Sequence, residues 1–408
     1  MKPKILVLAT LDEHGAGHAW SIAKKYEEHG AEVQEMYLLR SNASTKNYFI
    51  DTINKQNVRY LWYKFLRLIM QLPFAPFSKM RWWYMGIDFV KAEDIIKRLT
   101  FTPDYIHIGT HQFFLSPKAI YELYKRTNAK IVFSMVDDKL LGGGCPYPVW
   151  GCREYENGCA HCPVYPYMHF VRKNIIKQKR KYLKKMPFHL LGTSYDLKKA
   201  QKVDFLKHAT MHSRVGCPDI PFKMNKEEAR EFFDIPENEY VIMVGSTNNN
   251  NPNKGFKQLL ESLLIFDKTI SDRSVTLLML GKEIPSKFNF KNIKIKAPGF
   301  LDLRGLFTAY YACDVYVSPS VEDSGPYMVN YAIACGRPVI AFPVGIALDI
   351  VINKKTGWLT SCIDINEYAE GLKYFYNSTK EELRDIERDC IILMANYRNS
   401  NFERAVCE

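Results

Sequence analysis

This 408-residue chain has two adjacent acids, Glu322 and Asp323, whose carboxylates and loop position both suit ligand binding. They lie in a turn-rich loop that follows the apolar run 315–317 and precedes a helical pattern at 328–335. The order strand, loop, helix, strand predicts a βαβ unit, and open parallel sheets bind ligands at the carboxyl ends of their strands. The acids would then meet a polyhydroxyl or cationic ligand. The alternative is an N-cap in a solvated loop, because acids are common before helices.

Lys254 stands between the predicted strand 241–244 and a predicted helix. A lysine beside the unpaired N–H groups of a first helical turn suits a phosphate group. The alternative is an ordinary lysine at a helix start, although the helix dipole disfavours a cation there. Gly15 and Gly17 follow the first strand, 4–10, and could let the backbone approach a phosphate or sugar, or simply form a tight turn.

Polar side chains also follow two strands predicted in the first half of the chain. His111 comes after the strand in 103–113, and Asp137 and Asp138 end the strand that starts near residue 130. These residues repeat the arrangement of a site at strand ends.

Four cysteines share one stretch rich in glycine and proline, 142–164, with the spacing C-x6-C-x6-C-x2-C. Four thiolates suit a tetrahedral structural zinc ion and leave no open position for a catalytic water. Paired thiols or disulfides are the alternative, and a reducing cytoplasm disfavours disulfides. The four residues are Cys145, Cys152, Cys159 and Cys162.

Two segments of the first half are basic and could meet a membrane surface. One predicted helix places six apolar residues on one face, with Arg and Lys off it, and its alternative is a helix packed on the core. The other segment, 172–185, has eight basic residues and no acid, which predicts either contact with anionic lipid or a solvated helix face. The six apolar residues are Val58, Leu61, Trp62, Phe65, Leu66 and Ile69.

Bulk composition narrows the classes of protein and partner. The net charge of +12 suits anionic partners such as nucleotide phosphates, acidic lipids or nucleic acid. The length predicts two domains, and no apolar run approaches the 18 or more residues of a membrane span. The N-terminus lacks the apolar core of a signal peptide, so we expect a cytoplasmic protein. Alternating strands and helices in both halves predict two Rossmann-like α/β domains, which leave a nucleic-acid binder unexplained.

With these motifs in place, the second half resembles the donor domain of GT-B glycosyltransferases of family 4. The matching pieces are VGS…NKGFKQLLES, MLGKE, APGF, the stretch LRGLFTAYYACDVYVSPSVEDSGP, AIACGRPVIAFPVG and TGWL. The cysteine-rich string is similar to an insert in a bacterial polysaccharide subgroup. The resemblance implies an acceptor-side domain at 1–213, a nucleotide-sugar domain at 214–380, and a C-terminal helix at 381–408 that could pack back on the first domain.

The resemblance also implies an activity, namely retaining transfer of a sugar from a UDP- or GDP-linked donor to a glycan or lipid-linked glycan, with no metal required for catalysis. The two domains would face each other across a cleft, and the enzyme could sit peripherally at the inner face of the cytoplasmic membrane. Glu322, Asp323 and Lys254 would be catalytic, and His111, Asp137 and Asp138 would lie on the acceptor side. The implied donor-binding residues are Gly15, Gly17, Ser246, Lys254, Ser324, Gly325, Pro326, Tyr327, Asn330 and Tyr331.

The sequence departs from the family pattern at two of these donor positions. The second glutamate of the E-x7-E motif falls at Asn330 or Tyr331, and an arginine expected after the first donor-domain strand is Ser246. These departures motivate an alternative function, a degenerate and non-catalytic GT-B subunit that partners an active transferase.

Overall fold

The computed structural model describes residues 2–11, 18–40, 45, 47–54, 56–71, 86–146, 148–163, 169–246, 250–281, 290–400 and 402–407. The chain divides into two compact units. The first comprises Met1–Gly192, Asp196–Arg214 and Asn401–Glu408, and the second comprises Thr193–Tyr195 and Val215–Ser400. Each unit is a parallel sheet with helices, so the prediction of two Rossmann-like α/β domains is confirmed.

The first unit is built on a seven-stranded sheet in the order β3-β2-β1-β4-β5-β6-β7. All strand pairings described in it are parallel, for example Leu8 beside Ile108 in the β1–β4 pair. The inner strand β1 is almost fully buried, as expected for a parallel sheet covered on both faces. The strands are β1 (Lys4–Ala9), β2 (Glu32–Leu39), β3 (Tyr48–Ile50), β4 (Tyr105–Ile108), β5 (Lys130–Ser134), β6 (Phe188–Gly192) and β7 (Thr210–Ser213).

Helices connect these strands, and their ends follow local sequence signals. Ser116 caps α4, since its Oγ accepts the N–H of Ala119 at 3.2 Å, and the helix ends at Asn128 in the left-handed conformation. The helices are α1 (His18–Glu28), α2 (Val58–Gln71), α3 (Ala92–Ile96), α4 (Pro117–Thr127), α5 (His169–Tyr182) and α6 (Ser194–Ala200).

The second unit repeats the architecture with six strands in the order β10-β9-β8-β11-β12-β13. All described pairings in this sheet are also parallel, and its inner strands are apolar runs. The strands are β8 (Tyr240–Gly245), β9 (Val275–Leu280), β10 (Ile293–Gly299), β11 (Val315–Ser318), β12 (Val339–Ala341) and β13 (Gly357–Leu359).

The remaining helices include two that close the described chain. Residues 381–408, predicted as one helix, contain most of α13, which belongs to the second unit, and α14, which belongs to the first. The helices are α7 (Lys226–Glu231), α8 (Phe256–Asp267), α9 (Leu303–Ala312), α10 (Tyr327–Ala334), α11 (Ala347–Ile350), α12 (Ile365–Asn377), α13 (Lys380–Asn399) and α14 (Phe402–Cys407).

Strand order locates the favoured ligand-binding edge of each sheet. In both sheets the order reverses beside the first strand, between β1 and β4 and between β8 and β11. Ligands of open α/β sheets bind outside the carboxyl ends of the strands at such a switch point. In the second unit the loops at this point are those after β8 and after β11, which carry Lys254 and the pair Glu322 and Asp323.

Candidate functional site

The loop after β8 reaches the switch point through a short 3-10 helix, Pro252–Lys254, and then Gly255. Gly255 has a φ of +64°, and a Cβ atom there would lie 1.8 Å from the carbonyl oxygen of Pro319. Only glycine permits this approach, because any side chain would overlap the backbone at the end of β11. The close contact fixes Lys254 beside the acidic loop.

Backbone and side-chain bonds join the two loops. The carbonyl of Asn253 accepts the N–H groups of Val321 at 2.9 Å and Glu322 at 3.2 Å. Lys254 Nζ donates to Asp323 Oδ2 at 2.5 Å, and the two side chains keep 30% and 13% of their surface exposed. The structure therefore brings together two of the predicted site residues that lie far apart in the sequence.

Each acid of the loop is held in a defined orientation. Asp323 Oδ1 accepts the N–H of Gly325 at 3.1 Å, and Tyr195 donates its hydroxyl to Glu322 Oε2 at 2.9 Å. Tyr195 belongs to the three-residue segment Thr193–Tyr195 that is counted with the second unit. Tyr195 was not among the residues predicted from the sequence, where its only signal is the turn-forming string GTSY at the end of β6.

A second close backbone approach, at Gly345, supports the loop that carries Glu322 and Asp323. Gly345 has a φ of +56°, and a Cβ atom there would lie 2.8 Å from the carbonyl oxygen of Asp323. Thr193 Oγ1 also donates to the carbonyl of Ser324 at 3.1 Å. The loop is thus a packed turn with a fixed backbone, which suits a binding site better than a freely solvated cap does.

Hydrogen-bond donors converge on this edge of the sheet. Neither α8 nor α10 has a side chain that caps its N-terminus, where Gly255 and Pro326 stand. The first-turn N–H groups of such helices favour an anion. The Ser324 hydroxyl is buried and has no hydrogen-bond partner among the described residues. Two helix N-termini, a hydroxyl and the Lys254 ammonium can together hold a phosphate-bearing ligand.

Asn330 and Tyr331 stand where the second glutamate of the E-x7-E motif is expected. Asn330 is 2% exposed and donates its side-chain amide to the carbonyl of Gly216 at 2.6 Å. The Tyr331 ring packs edge-on against Tyr327 and Phe307, with centroid distances of 5.0 and 5.2 Å. Both residues serve packing within the second unit. Ser246, directly after β8, is half-buried.

The first unit places the predicted residues at the ends of β4 and β5. His111 is 9% exposed and lines a small cavity together with Ser134 and Asp137. Burial lowers the pKa of His111 to about 4, so its imidazole is neutral near pH 7. A neutral histidine in a polar cavity can donate or accept a hydrogen bond from a ligand hydroxyl.

Most charges around that cavity are paired with one another. Lys199 Nζ donates to Asp138 Oδ2 at 3.0 Å, and both side chains are less than 10% exposed. Asp137 accepts the backbone N–H of Lys139 at 3.0 Å and also pairs with the Lys139 ammonium. The turn that follows β5 is therefore held by its own acids.

Lys179 on α5 stabilises the same turn through hydrogen bonds to its backbone carbonyl groups. Its ammonium is fully buried and donates to the carbonyl oxygens of Lys139, Leu140 and Gly142, at 2.5, 3.1 and 2.6 Å. Burial lowers the pKa of Lys179 to about 7, and the three carbonyl acceptors compensate the charge of its protonated form, so Lys179 is a structural residue of the first unit.

His107, in β4, is a histidine of the buried core. It is fully buried between Tyr26, whose hydroxyl lies 3.0 Å from Nδ1, and Ser134, whose hydroxyl lies 2.8 Å from Nε2. Burial and, more weakly, the Arg214 cation lower its pKa to about 3.

The four clustered cysteines do not form a recognisable metal centre. Cys159 Sγ accepts the N–H of Gly143 at 3.2 Å, and burial raises the pKa of its thiol. Within the described ranges, no group of three or more His, Cys, Asp or Glu side chains could hold a metal ion, and no disulfide joins the cysteines. Zinc therefore stays a prediction, which metal analysis of the purified protein would test.

The glycine loop predicted to bind donor, Gly15 and Gly17, lies outside the described residues. None of the helices in the described part of the chain is both long and apolar enough to cross a membrane.

Comparison with known proteins agrees with this geometry. Residues 238–378, which lie in the second unit, match the sequence model of the family described as Glycosyl transferases group 1. That range contains the β8 and β11 loops. No curated protein matches the chain by sequence.

Solved structures similar to this chain include several GT-B glycosyltransferases. Sucrose-phosphate synthase from Thermosynechococcus elongatus is 14% identical, with a TM-score of 0.60 over 100% of this chain and 96% of that one. HepE from Anabaena, solved with UDP-glucose, is 13% identical with a TM-score of 0.54 over 96% and 94%. The UDP-forming trehalose-phosphate synthase from Burkholderia xenovorans is 10% identical with a TM-score of 0.54 over 99% of both chains. At these identities the likeness shows the fold.

Proposed function

We propose that the chain is a retaining glycosyltransferase that moves a sugar from a nucleotide-diphosphate-sugar to a glycan or lipid-linked glycan in bacterial surface polysaccharide biosynthesis, such as capsule or lipopolysaccharide. One observation carries the proposal. Lys254 lies at the switch point between two helix N-termini without capping side chains, within the residues that match the glycosyltransferase domain.

The leaving group of this reaction is a nucleoside diphosphate, on which negative charge develops as the glycosidic bond breaks. Lys254 supplies a cation to that charge, and the N-termini of α8 and α10 supply oriented N–H groups. Lys254 Nζ donates to Asp323 Oδ2 at 2.5 Å. The bound diphosphate would compete with Asp323 for the ammonium.

The two acids of the β11 loop would bind hydroxyl groups of the donor sugar ring. Glu322 and Asp323 are acceptors fixed by Tyr195 and Gly325, so they can bind ring hydroxyls without much loss of conformational freedom. The acceptor-side assignment falls on the β4 and β5 ends, where His111 and Asp137 share a cavity and Asp138 supports it.

A donor screen tests the proposal. The solved relative HepE binds UDP-glucose, so we expect UDP-sugars to raise the melting temperature most, with GDP-sugars next. Calorimetry should show one site per chain, and a radiolabelled donor should show transfer to a lipid-linked glycan or, more slowly, to water. Absence of binding by every UDP- and GDP-sugar would overturn the assignment.

The second candidate is a non-catalytic subunit that partners an active transferase. It is favoured by Asn330, which stands where a donor-binding acid is expected and donates instead to the Gly216 carbonyl. This function would be favoured over the first if the chain binds a donor but transfers no sugar, and if transfer appears when an active partner is added.

We also propose peripheral contact with an anionic membrane, carried by α2. The helix is formed as predicted, but most of its apolar face is not packed on the core. The interpretation of α2 as an ordinary core-packed helix is therefore wrong for that face, and Leu66 alone of the six is half-buried. The exposed apolar residues are Val58 (80%), Leu61 (52%), Trp62 (57%), Phe65 (51%), Leu68 (61%) and Ile69 (46%).

Basic residues of α2 and of the segment 172–185 add positive charge that anionic lipid would attract. Arg59, Lys64 and Arg67 give α2 three positive charges and no acid. On α5 the predicted run of eight basic residues is partly structural, because Arg172 and Lys179 are buried and Arg180 and Lys184 pair with Asp204. The exposed remainder is a stripe at four-residue spacing: Lys173, Lys177, Lys181 and Lys185.

Liposome sedimentation tests the membrane proposal. We expect binding to vesicles with anionic lipid that weakens in high salt, since exposed charges are screened. Replacing Trp62 and Phe65 with serine should release the protein from the vesicles. The matched control is Phe300→Ser, an equally exposed aromatic on the second unit. Equal sedimentation of both variants would contradict the role of α2.

A further inference from the structure

A groove on the second unit, away from the β8 and β11 loops, has the features of a saccharide-binding site. It lies beside the edge strand β13 and has a volume of about 330 Å³. That is the size of pockets that hold small ligands. Its walls include Trp358, Glu370, Lys373, Tyr374, Asn377 and Glu382.

Two aromatic rings form the apolar wall of the groove. Trp358 and Tyr374 pack with their centroids 5.5 Å apart and their planes inclined by 37°, and both side chains are partly exposed. A Cβ atom on Gly371 would lie 2.7 Å from the indole, so the absence of a side chain there lets Trp358 lie against α12. Rigid aromatic surfaces of this kind bind the apolar C–H faces of sugar rings.

Polar groups of α12 complete the lining of the groove. Glu370, Lys373 and Asn377 share one helical face with Tyr374, and all three are exposed. The Trp358 Nε1–H is buried with no hydrogen-bond partner in the described part of the chain. A buried donor without an acceptor is costly, and a small turn of the indole toward the groove would let a ligand hydroxyl accept this bond.

The balance of charge selects the class of ligand. Glu370 and Glu382 line the groove with Lys373, and Lys354 Nζ lies 5.7 Å from the Tyr374 ring centroid, so the groove favours neither an anion nor a cation. Glu382 is engaged in addition as the capping residue of α13, where it accepts the Thr379 N–H at 2.7 Å. Neutral polyhydroxyl compounds with apolar ring faces match both walls.

We propose that this groove binds a neutral saccharide unit, separately from the nucleotide-sugar site. The choice of ligand rests on the proposed function, because a glycan-extending transferase has saccharide chains as acceptor and product. A second contact of millimolar affinity would keep such a chain on the enzyme between transfers by raising its effective concentration.

Saturation-transfer NMR of the full-length protein without donor tests the site, with methyl hexopyranosides and maltotriose as probes. We expect binding that Tyr374→Ala weakens about tenfold and that Trp358→Phe, which removes the indole N–H and leaves a smaller ring, weakens severalfold. Glu381→Gln, on the neighbouring surface but outside the groove, is the matched control and should leave binding unchanged.

The variant Lys254→Ala separates this proposal from the proposed function. Retained saccharide binding in Lys254→Ala, together with loss in Tyr374→Ala, supports the groove whether or not transfer occurs. Saccharide binding lost in Lys254→Ala but kept in Tyr374→Ala would place the sugars at the switch point and overturn it. No binding of any probe to the wild type would also overturn it.

Discussion

At the switch point of the second sheet, Lys254 and Asp323 form an ion pair that is still partly exposed to solvent. At the ends of β4 and β5 in the first sheet, Asp138 and Lys199 form a pair that is buried on both sides. The two edges use the same residue types after the same kind of strand. Exposure decides their role, because a solvated pair can exchange its partner for a ligand, whereas breaking a buried pair leaves an uncompensated charge.

The buried pair should therefore control stability. Lys199→Met leaves the Asp138 carboxylate without its cation, and we expect a loss of about 3–5 kcal/mol in the free energy of unfolding, measured with urea. The double variant Lys199→Met with Asp138→Leu should recover part of that loss. Lys202→Met, an exposed neighbour, should change stability by less than about 0.5 kcal/mol. A mild effect of Lys199→Met would remove the distinction between the two edges.

The exposed pair should instead control activity. Lys254→Ala removes the cation from the leaving diphosphate, and we expect transfer to slow by about 100- to 1,000-fold while the melting temperature stays near that of the wild type. Lys257→Ala, three residues further on and 83% exposed, is the matched control. Near-normal transfer by Lys254→Ala would show that the diphosphate binds elsewhere.

The buried histidines of the first unit predict a dependence on pH. Burial lowers the pKa of His107 to about 3 and that of His111 to about 4, whereas both titrate near 6.5 in the unfolded chain. The unfolded state thus takes up protons first, and stability is full above pH 6.5 and falls as the pH drops toward 4. At pH 5 we expect each histidine to cost about 2 kcal/mol relative to pH 7.

Variants identify the source of this acid sensitivity in urea titrations at both pH values. His107→Gln should remove about half of the loss between pH 7 and pH 5, and exposed His161→Gln should leave it unchanged. An unaltered loss in His107→Gln would mean that other groups cause the acid sensitivity.

The smallest expected effect concerns Tyr195, which orients the Glu322 carboxylate. Tyr195→Phe removes one hydrogen bond to a charged group, worth about 1.5 kcal/mol, so donor affinity should fall about tenfold in calorimetry. Tyr397→Phe, which removes a hydroxyl bonded to the Asp349 carbonyl, controls for a general loss of packing. Equal affinities in the two variants would leave Glu322 without a role in donor binding.

Periodicity and strand-end polarity predicted the fold well because they are local signals. Each of the apolar runs that form β1, β8 and β11, and the pair of acids after β11, is recognised from a few consecutive residues. Three features could not be predicted from the sequence, because each depends on contacts between distant segments. They are the strand order, the Lys254–Asp323 pair and the hydrogen bond from Tyr195 to Glu322. The two interpretations of α2, membrane contact and core packing, could not be distinguished for a related reason: amphipathic periodicity identifies an apolar face but not what that face meets.

Charge counting failed in the same way on α5. The run 172–185 is uniformly basic in sequence, yet Lys179 is a buried structural residue and Lys177, two residues earlier, is exposed. Only the carbonyl groups that converge on Lys179 distinguish the two, and those carbonyls belong to a turn some 40 residues earlier in the chain.

The ion pair between Arg214 and Glu403 has a consequence for biosynthesis. Arg214 Nη2 lies 3.1 Å from the buried Glu403 carboxylate, and α14 packs against α1 within the first unit. The two partners are separated by 189 residues, which include nearly all of the second unit. During translation the first unit must wait for α14 to leave the ribosome before its core is closed. We therefore expect the nascent first unit to be sensitive to protease until synthesis has passed residue 407, even though its sheet is encoded first.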